Sequence, residues 1–300
     1  MISSLKSFFY TLRYITKHPL NSDRFSTLMR YAKWQFGSRL LPGPVVVPFV
    51  GKTSLVVSRG MAAATQQIYA GLNDFPECSL LLHLLREGQL FVDVGANVGV
   101  YTVLAAGVVG AQVICIEPIP QTFERLSLNL RVNDIVDKVA SHNIGLGRQE
   151  SVLRFTVEMD AMNHVIQEET WTGPSISVPV STLDLILKER NPILIKMDVE
   201  GWEGEVLAGA TSTLSCASLL GWIVEMNSSD AAFSPNELTV HECLLGNGFE
   251  PYAYDPPSRT LTLLPSKNLK SVNTIYLRNA DQVRALVASA PAFTVGTRSF

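Results

Sequence analysis

The chain has 300 residues, 47% of them hydrophobic, enough to bury a full core as one large domain with additions or as two small ones. A net charge of -3 and an isoelectric point near 6.0 supply no general electrostatic drive towards nucleic acid. The four cysteines, Cys78, Cys115, Cys216 and Cys243, are too widely spaced for a zinc or disulfide framework, which points to a reducing, cytoplasmic setting.

The chain opens with "MISSLKSFFYTLRYITKHPLN", which mixes aromatics with Lys6, Arg13 and Lys17. It lacks the uninterrupted apolar stretch and small-residue cleavage site of a secretory signal. An amphipathic helix with its apolar face on the core is expected, with contact to a membrane surface as the alternative. "VYTVLAAGVVGAQVICI", residues 100–116, is almost wholly apolar, but Gly107, Gly110 and Gln112 divide it into a helix and a strand, so no transmembrane span is assigned. Around it, "GQLFVDVG" predicts a strand, residues 99–108 a helix, "AQVICIE" a second strand and "PQTFERLSLNLRVN" an amphipathic helix. Residues 138–144 and 152–157 read as strands, the second leading into the polar insert "EMDAMNHVIQEETWTGPS". "ISVPVSTLDLILKE" predicts a strand and a short helix capped at Ser181 or Thr182, with Asp184 in its first turn. There follow the strand "PILIKMD", a helix from about residue 204 to 214, the strand "LLGWIVEM" and a helix from about residue 236 to 246. "FEPYAYD" and "SVNTIYLR" close the series with no helix between them, which predicts an antiparallel pair. The alternation of strands and helices argues for a doubly wound, mostly parallel α/β sheet buried on both faces.

In such a sheet, ligands bind beyond the carboxyl ends of the strands. The residues that end strands here are Asp93, Glu117, Asn143, Asp198 and Glu225, so four of five positions on that edge are carboxylates. The turn "FVDVGANVG" narrows the choice of ligand. A dinucleotide fingerprint needs glycine at the middle position, where this chain has Asn97, and it brings two phosphates towards the place held by Asp93. S-adenosylmethionine carries a sulfonium and an ammonium, which Asp93 attracts. Glu117 can accept both ribose hydroxyls of either cofactor and does not discriminate. Asp93 and Asn97 therefore disfavour a NAD-dependent oxidoreductase.

"FVDVGANVGVYT", "IEPIPQTFERLSLNLRVN", "VSTLDLIL" and "LIKMDVEGWEGEVLAGA" together resemble the FkbM family of S-adenosylmethionine-dependent methyltransferases, over Leu72 to Phe249. The resemblance implies a class I methyltransferase fold, a Rossmann-like sheet of seven mostly parallel strands, with an N-terminal helical extension. The expected organisation is an N-terminal helical and strand extension at 1–80, a methyltransferase domain at 81–280 and a C-terminal tail at 281–300, with residues 1–60 and 255–300 matching the family weakly. The resemblance implies S-adenosyl-L-methionine as cofactor, held by Asp93, Gly95, Asn97, Gly99 and Glu117, to which the strand-end reading adds Asn143. It implies O-methylation of a hydroxyl on a glycan or natural product; the charge balance adds the expectation of no nucleic-acid partner. A non-catalytic binding protein that keeps the fold is the other class of reading.

Within "KMDVEGWE", period-two alternation places Lys196, Asp198 and Glu200 on one side of the strand and its extension. Asp198 is the expected proton acceptor and Glu200 its neighbouring substitute, while Lys196 either steadies developing charge or pairs with Asp198. Gly201 suits a tight turn, and Glu203 suits the positive end of the following helix. His241 is the next candidate base, and His164 lies in the insert. Trp202 is expected either to stack on a sugar ring or to pack against the N-terminal segment. Asp198, Glu225 and Asn227 are similar to the oxygen-rich magnesium site of some related O-methyltransferases, but the expectation is no metal.

Overall fold

The computed structural model describes residues 11–21, 23–40, 43–157, 162–167, 170–226, 233–296 and 298–300. Helical residues 11–17 (α1) and Arg24–Leu40 (α2) lead to the antiparallel pair β1 (Val45–Pro48) and β2 (Ser54–Val57), then α3 (Ala62–Ala70) and α4 (Phe75–Leu84). Next come β3 (Leu90–Val94), α5 (Val100–Val103) continuing as a π-helical segment Leu104–Val109, β4 (Gln112–Ile116), α6 (Pro120–Val132) and β5 (Val139–His142). The middle of the chain holds β6 (Gly145–Leu146), β7 (Ser151–Thr156), β8 (Ser175–Ser181) and α7 (Leu183–Leu187). Then follow β9 (Pro192–Met197), α8 (Glu203–Ala208), α9 (Thr211–Leu214), β10 (Gly221–Glu225) and α10 (Pro235–Gly246). The chain finishes with β11 (Glu250–Asp255), β12 (Thr260–Leu263), β13 (Asn273–Leu277), α11 (Ala280–Ala288) and a small hairpin, β14 (Thr294–Val295) with β15 (Arg298–Ser299).

The large sheet runs β5-β4-β3-β9-β10-β13-β11-β12. Its first five strands are parallel, and β13 enters antiparallel between β10 and β11. This is a class I methyltransferase sheet, Rossmann-like and mostly parallel, preceded by helices. Strand alternation sends Phe91, Val113, Cys115, Leu194 and Ile223 into one core, while Val92, Val94, Ile114, Ile116, Ile195 and Met197 enter the other. Strand order reverses between β3 and β9, which opens a crevice at their carboxyl ends.

Several expectations are corrected. The large sheet has eight strands, not seven, because β12 folds back on β11 as an antiparallel edge strand. The strand expected at 152–157 does not join it: β7 pairs with β8, and β8 with β6, in a separate three-stranded sheet. The helix expected over 204–214 is broken into α8 and α9 at Gly209, where a Cβ would come within 2.1 Å of the Gly147 carbonyl oxygen. The antiparallel relation of β11 and β13 agrees with the sequence, and Thr182 caps α7 by accepting from Leu185 N at 3.1 Å.

The loop after β9 is closed by Glu203. Its carboxylate accepts from Gly201 N at 3.1 Å, from Val199 N at 3.3 Å and from Asn236 Nδ2 at 2.8 Å, tying the loop to α10. The side chain is buried, so its removal leaves these donors without an acceptor. Glu203→Ala is expected to cost about 1–3 kcal/mol of stability, and Glu203→Gln less, as read from urea denaturation midpoints.

Candidate active site

The carboxyl ends of β3, β4, β9 and β10 border a cavity of about 330 Å³. Asp93 is the last polar residue of β3 and is 1% exposed. In register it lies between Cys115 of β4 and Lys196 of β9. Its Oδ2 accepts from the Thr102 hydroxyl at 2.7 Å, while Oδ1 is buried with no partner in the protein.

Beyond β3 the backbone turns so tightly that a Cβ on Gly95 would sit 1.8 Å from the Asp198 carbonyl oxygen. The N–H groups of Gly95 and Ala96 both donate to the Ile116 carbonyl, at 3.0 and 2.9 Å. Asn97 takes a left-handed φ of 51°, which asparagine tolerates because its short amide bonds locally; here Oδ1 accepts from Val98 N at 2.7 Å. Glycine is therefore dispensable at this position.

Glu117, just past β4, reaches back under this turn. Its Oε2 accepts from Asn97 N and its Oε1 from Ile119 N, each at 2.9 Å. Burial pushes this acid up to about 7, against the two backbone donors that favour its ionised form. Asn143 lies outside the cavity lining; its Nδ2 donates to the carbonyls of Glu117 and Pro118, at 2.8 and 3.1 Å, and so supports the loop that carries Glu117. Gly99 also lies outside the lining and caps α5 from a left-handed conformation.

The adjoining wall, at the end of β9, is charged. Lys196 is 4% exposed, with Nζ 2.8 Å from Asp198 Oδ2 and 5.0 Å from the Tyr101 ring centroid. Burial works against its ammonium, but the Asp198 and Asp93 carboxylates outweigh burial and raise its pKa above the usual lysine value. Asp198 meets the same opposition: burial would raise it, yet Lys196 and a hydrogen bond with Glu225 hold it below the usual carboxylate range. Burial, then the neighbouring Asp198 charge, pushes Glu225 up to about 10. Carboxylate oxygens of Asp198, Glu200 and Glu225 lie within 4.8 Å of one another. Asn227, grouped with them on sequence grounds, lies outside the described residues.

The sequence reading missed Asp74 and Tyr101. Tyr101 Oη donates to Asp74 Oδ2 at 3.2 Å, and both line the cavity. Burial raises the Asp74 pKa, opposed by Lys196 and Tyr101. Its one signal was an aspartate two residues before the proline of "DFPE", a helix-entry pattern; Tyr101 sits in an apolar run and gave none.

Other candidates fall away. His241 Nδ1 is 2.8 Å from Tyr276 Oη, its ring stacks on Phe233, and it does not line the cavity. His164 is likewise outside the lining. Trp202 does line it, packed against the insert cluster around Phe155, Val165 and Val180 rather than against the N-terminal segment.

The methyltransferase FkbM domain matches residues 93–251, more than half of the chain. Hexuronic acid methyltransferase AglP of Haloferax volcanii is 26% identical over 208 residues, covering 67% of this chain and 82% of its own. Two solved structures resemble the chain more loosely. An rRNA methylase from Streptococcus thermophilus has 13% identity and a TM-score of 0.40, with 67% of this chain and 91% of that one covered. Aeropyrum pernix fibrillarin with bound S-adenosyl-L-methionine has 11% identity and a TM-score of 0.37, with 67% and 73% covered.

The residues present fit S-adenosylmethionine. Asp93 offers a buried acceptor oxygen still without a partner, Gly95 leaves bare backbone, Glu117 offers a second carboxylate, and Lys196, the basic residue in the lining, is already paired with Asp198. The raised Glu117 pKa sets a pH dependence. With Glu117 as the acceptor expected for the ribose hydroxyls, which donate to an ionised acid, cofactor affinity should rise about tenfold between about pH 6 and about pH 8 by calorimetry. The ligand-free fold should lose stability over the same rise, because the unfolded chain releases this proton at the ordinary glutamate value and the folded chain only near 7. Glu117→Ala should weaken cofactor binding by about ten- to a hundredfold and flatten its pH profile.

Proposed function

The chain belongs to the FkbM methyltransferase family and is an S-adenosylmethionine-dependent enzyme; from that premise we propose that it methylates a hydroxyl oxygen of a glycan or related natural product, with Asp198 taking the proton. The observation that carries this reading is the Asp198 carboxylate, held below the usual carboxylate range by Lys196 at 2.8 Å, in the same cavity as Asp93 and Glu117 and beside the strand end that carries Asp93. The family match displaces the NAD-dependent alternative.

The bound cofactor supplies a methyl carbon already activated by its sulfonium. What is left to the protein is alignment of the acceptor and removal of its proton. Asp198 accepts that proton as the new bond to oxygen forms. Lys196 compensates the charge of Asp198 before transfer, and Glu225, which carries a proton at neutral pH, donates a hydrogen bond to the same carboxylate. Glu200 stands beside them in a left-handed conformation, φ 53°, within reach of the acceptor space.

Phe155, Val165 and Trp202 give that space an apolar, aromatic side, and Asn163 adds an amide. Flat apolar faces beside a few polar groups suit a sugar ring. The name of the Haloferax volcanii relative, a hexuronic acid methyltransferase, supports a glycan acceptor. The four unpaired cysteines support a reducing, cytoplasmic setting. No helix among the described residues is long and apolar enough to cross a membrane.

Asp198→Asn is expected to keep the fold and most cofactor affinity while lowering turnover by about 10² to 10⁴. A large loss of cofactor affinity with turnover preserved at saturation would instead assign Asp198 to the methionine ammonium; Glu200→Gln serves as the comparison. Asp198 is already compensated by Lys196 and bonded to Glu225, so we propose that no divalent ion is needed. Turnover should survive EDTA, and loss restored by Mg²⁺ would reverse that assignment.

A further inference from the structure

Helix α2 packs on the protein through Trp34, Tyr31 and a set of polar groups, and carries a second, apolar set towards solvent. Its inner face buries Thr27 and Ser38, donates from Gln35 Nε2 to the Tyr69 hydroxyl at 2.9 Å and from Arg30 to the Tyr69 carbonyl at 3.3 Å, and lays Tyr31 against the Tyr69 ring. Its outer face carries Phe25, Met29, Phe36 and Leu40, spaced by four, seven and four residues and therefore aligned on one stripe, with Leu28 beside them. Phe25 and Phe36 are each 71% exposed and Leu40 is 79% exposed. A helix that only had to pack on this domain has no use for this second, outer apolar stripe.

Charge identifies what the stripe meets. Residues 1–60 contain nine lysines and arginines and a single acid, Asp23, while residues 61–300 contain fifteen basic and twenty-six acidic residues. The helix itself has four basic residues and no acidic one. Lys33 and Arg39 are exposed next to the stripe. A second copy docking the same face would bring two such basic segments together, and like charges repel. An anionic lipid surface accepts both features at once, apolar side chains below its headgroups and cations among them.

We propose that α2 docks this protein on an anionic lipid bilayer, lying in the interface with Phe25, Met29, Phe36 and Leu40 inserted. The docked helix packs on α3, whose Gln66 and Gln67 line the cavity, so docking through α2 would set the bilayer on the side of the domain that α3 covers. The proposal does not depend on which atom is methylated.

The test is co-flotation of the full chain with phosphatidylcholine vesicles containing about one-third phosphatidylglycerol, compared with phosphatidylcholine alone. The chain is expected to float with the anionic vesicles, to be released by high salt, and to lose at least about tenfold in bound fraction in the Phe25→Ser/Phe36→Ser variant. A Lys33→Glu/Arg39→Glu variant should lose the preference for anionic lipid. Both variants change exposed side chains and should bind S-adenosylmethionine as the parent does, which checks the fold independently of lipid. Failure of the parent chain to float, or equal flotation of the Phe25→Ser/Phe36→Ser variant, would overturn the proposal. So would a dimer in light scattering that the same variant dissociates, because the stripe would then belong to a second copy.

Discussion

One buried ammonium organises the site. Lys196 is enclosed by the sheet and Tyr101, and it persists as a charge only because Asp198 is in contact and Asp93 lies next to it in the strand register. Remove the cation and the surrounding acids have no counter-charge in a medium where unpaired charge is costly. Its grip has an uneven effect: Asp198 stays ionised, while Asp93, Asp74 and Glu225, further from compensation or more strongly desolvated, shift towards the protonated form. A set of chemically similar side chains thereby acquires different protonation states at one pH, the condition for giving them different tasks.

The other half of the site is organised by the backbone. The turn after β3 comes so close to the loop after β9 that no side chain fits at Gly95, and Glu117 braces the turn from below through the Asn97 and Ile119 amides. That bracing places a carboxylate in a buried position at the cost of its ordinary acidity. Binding a ligand that donates to it recovers part of this cost, so ligand and fold are coupled at Glu117.

Much of this was legible in the sequence for a specific reason. β3 and β9 are buried on both faces, so an interrupting Asp or Lys in their apolar runs had to be explained, and alternation put Lys196 and Asp198 on one side. What was not legible depends on contacts distant along the chain. Tyr101 reads as core until its hydroxyl is seen on Asp74, and Asn143 reads as a ligand-facing strand end until its amide is seen holding the Glu117 loop. β12 is four residues long and half-exposed or exposed throughout, so its Thr-Leu alternation is too short a signal beside the turns that flank it, and edge pairing with β11 makes it a strand. The break at Gly209 follows from a backbone approach to Gly147, more than sixty positions earlier, which no local propensity encodes.

The separate ladder of β6, β8 and β7 has a bearing on how such an enzyme diversifies. Phe155 and Val165 reach the cavity from this small sheet and its adjoining bridge, and none of their backbone pairs belongs to the large sheet. Replacing or lengthening this wall breaks no hydrogen bond between the strands that carry Asp93, Lys196 and the Glu225 carboxyl. The part that shapes one side of the pocket thus touches the part that holds the charged centre through side chains such as Trp202 but shares no strand pairing with it. Selection can remodel the former through many neutral steps while the latter stays intact, so descendants of one fold can diverge in what they accept without first losing what they catalyse.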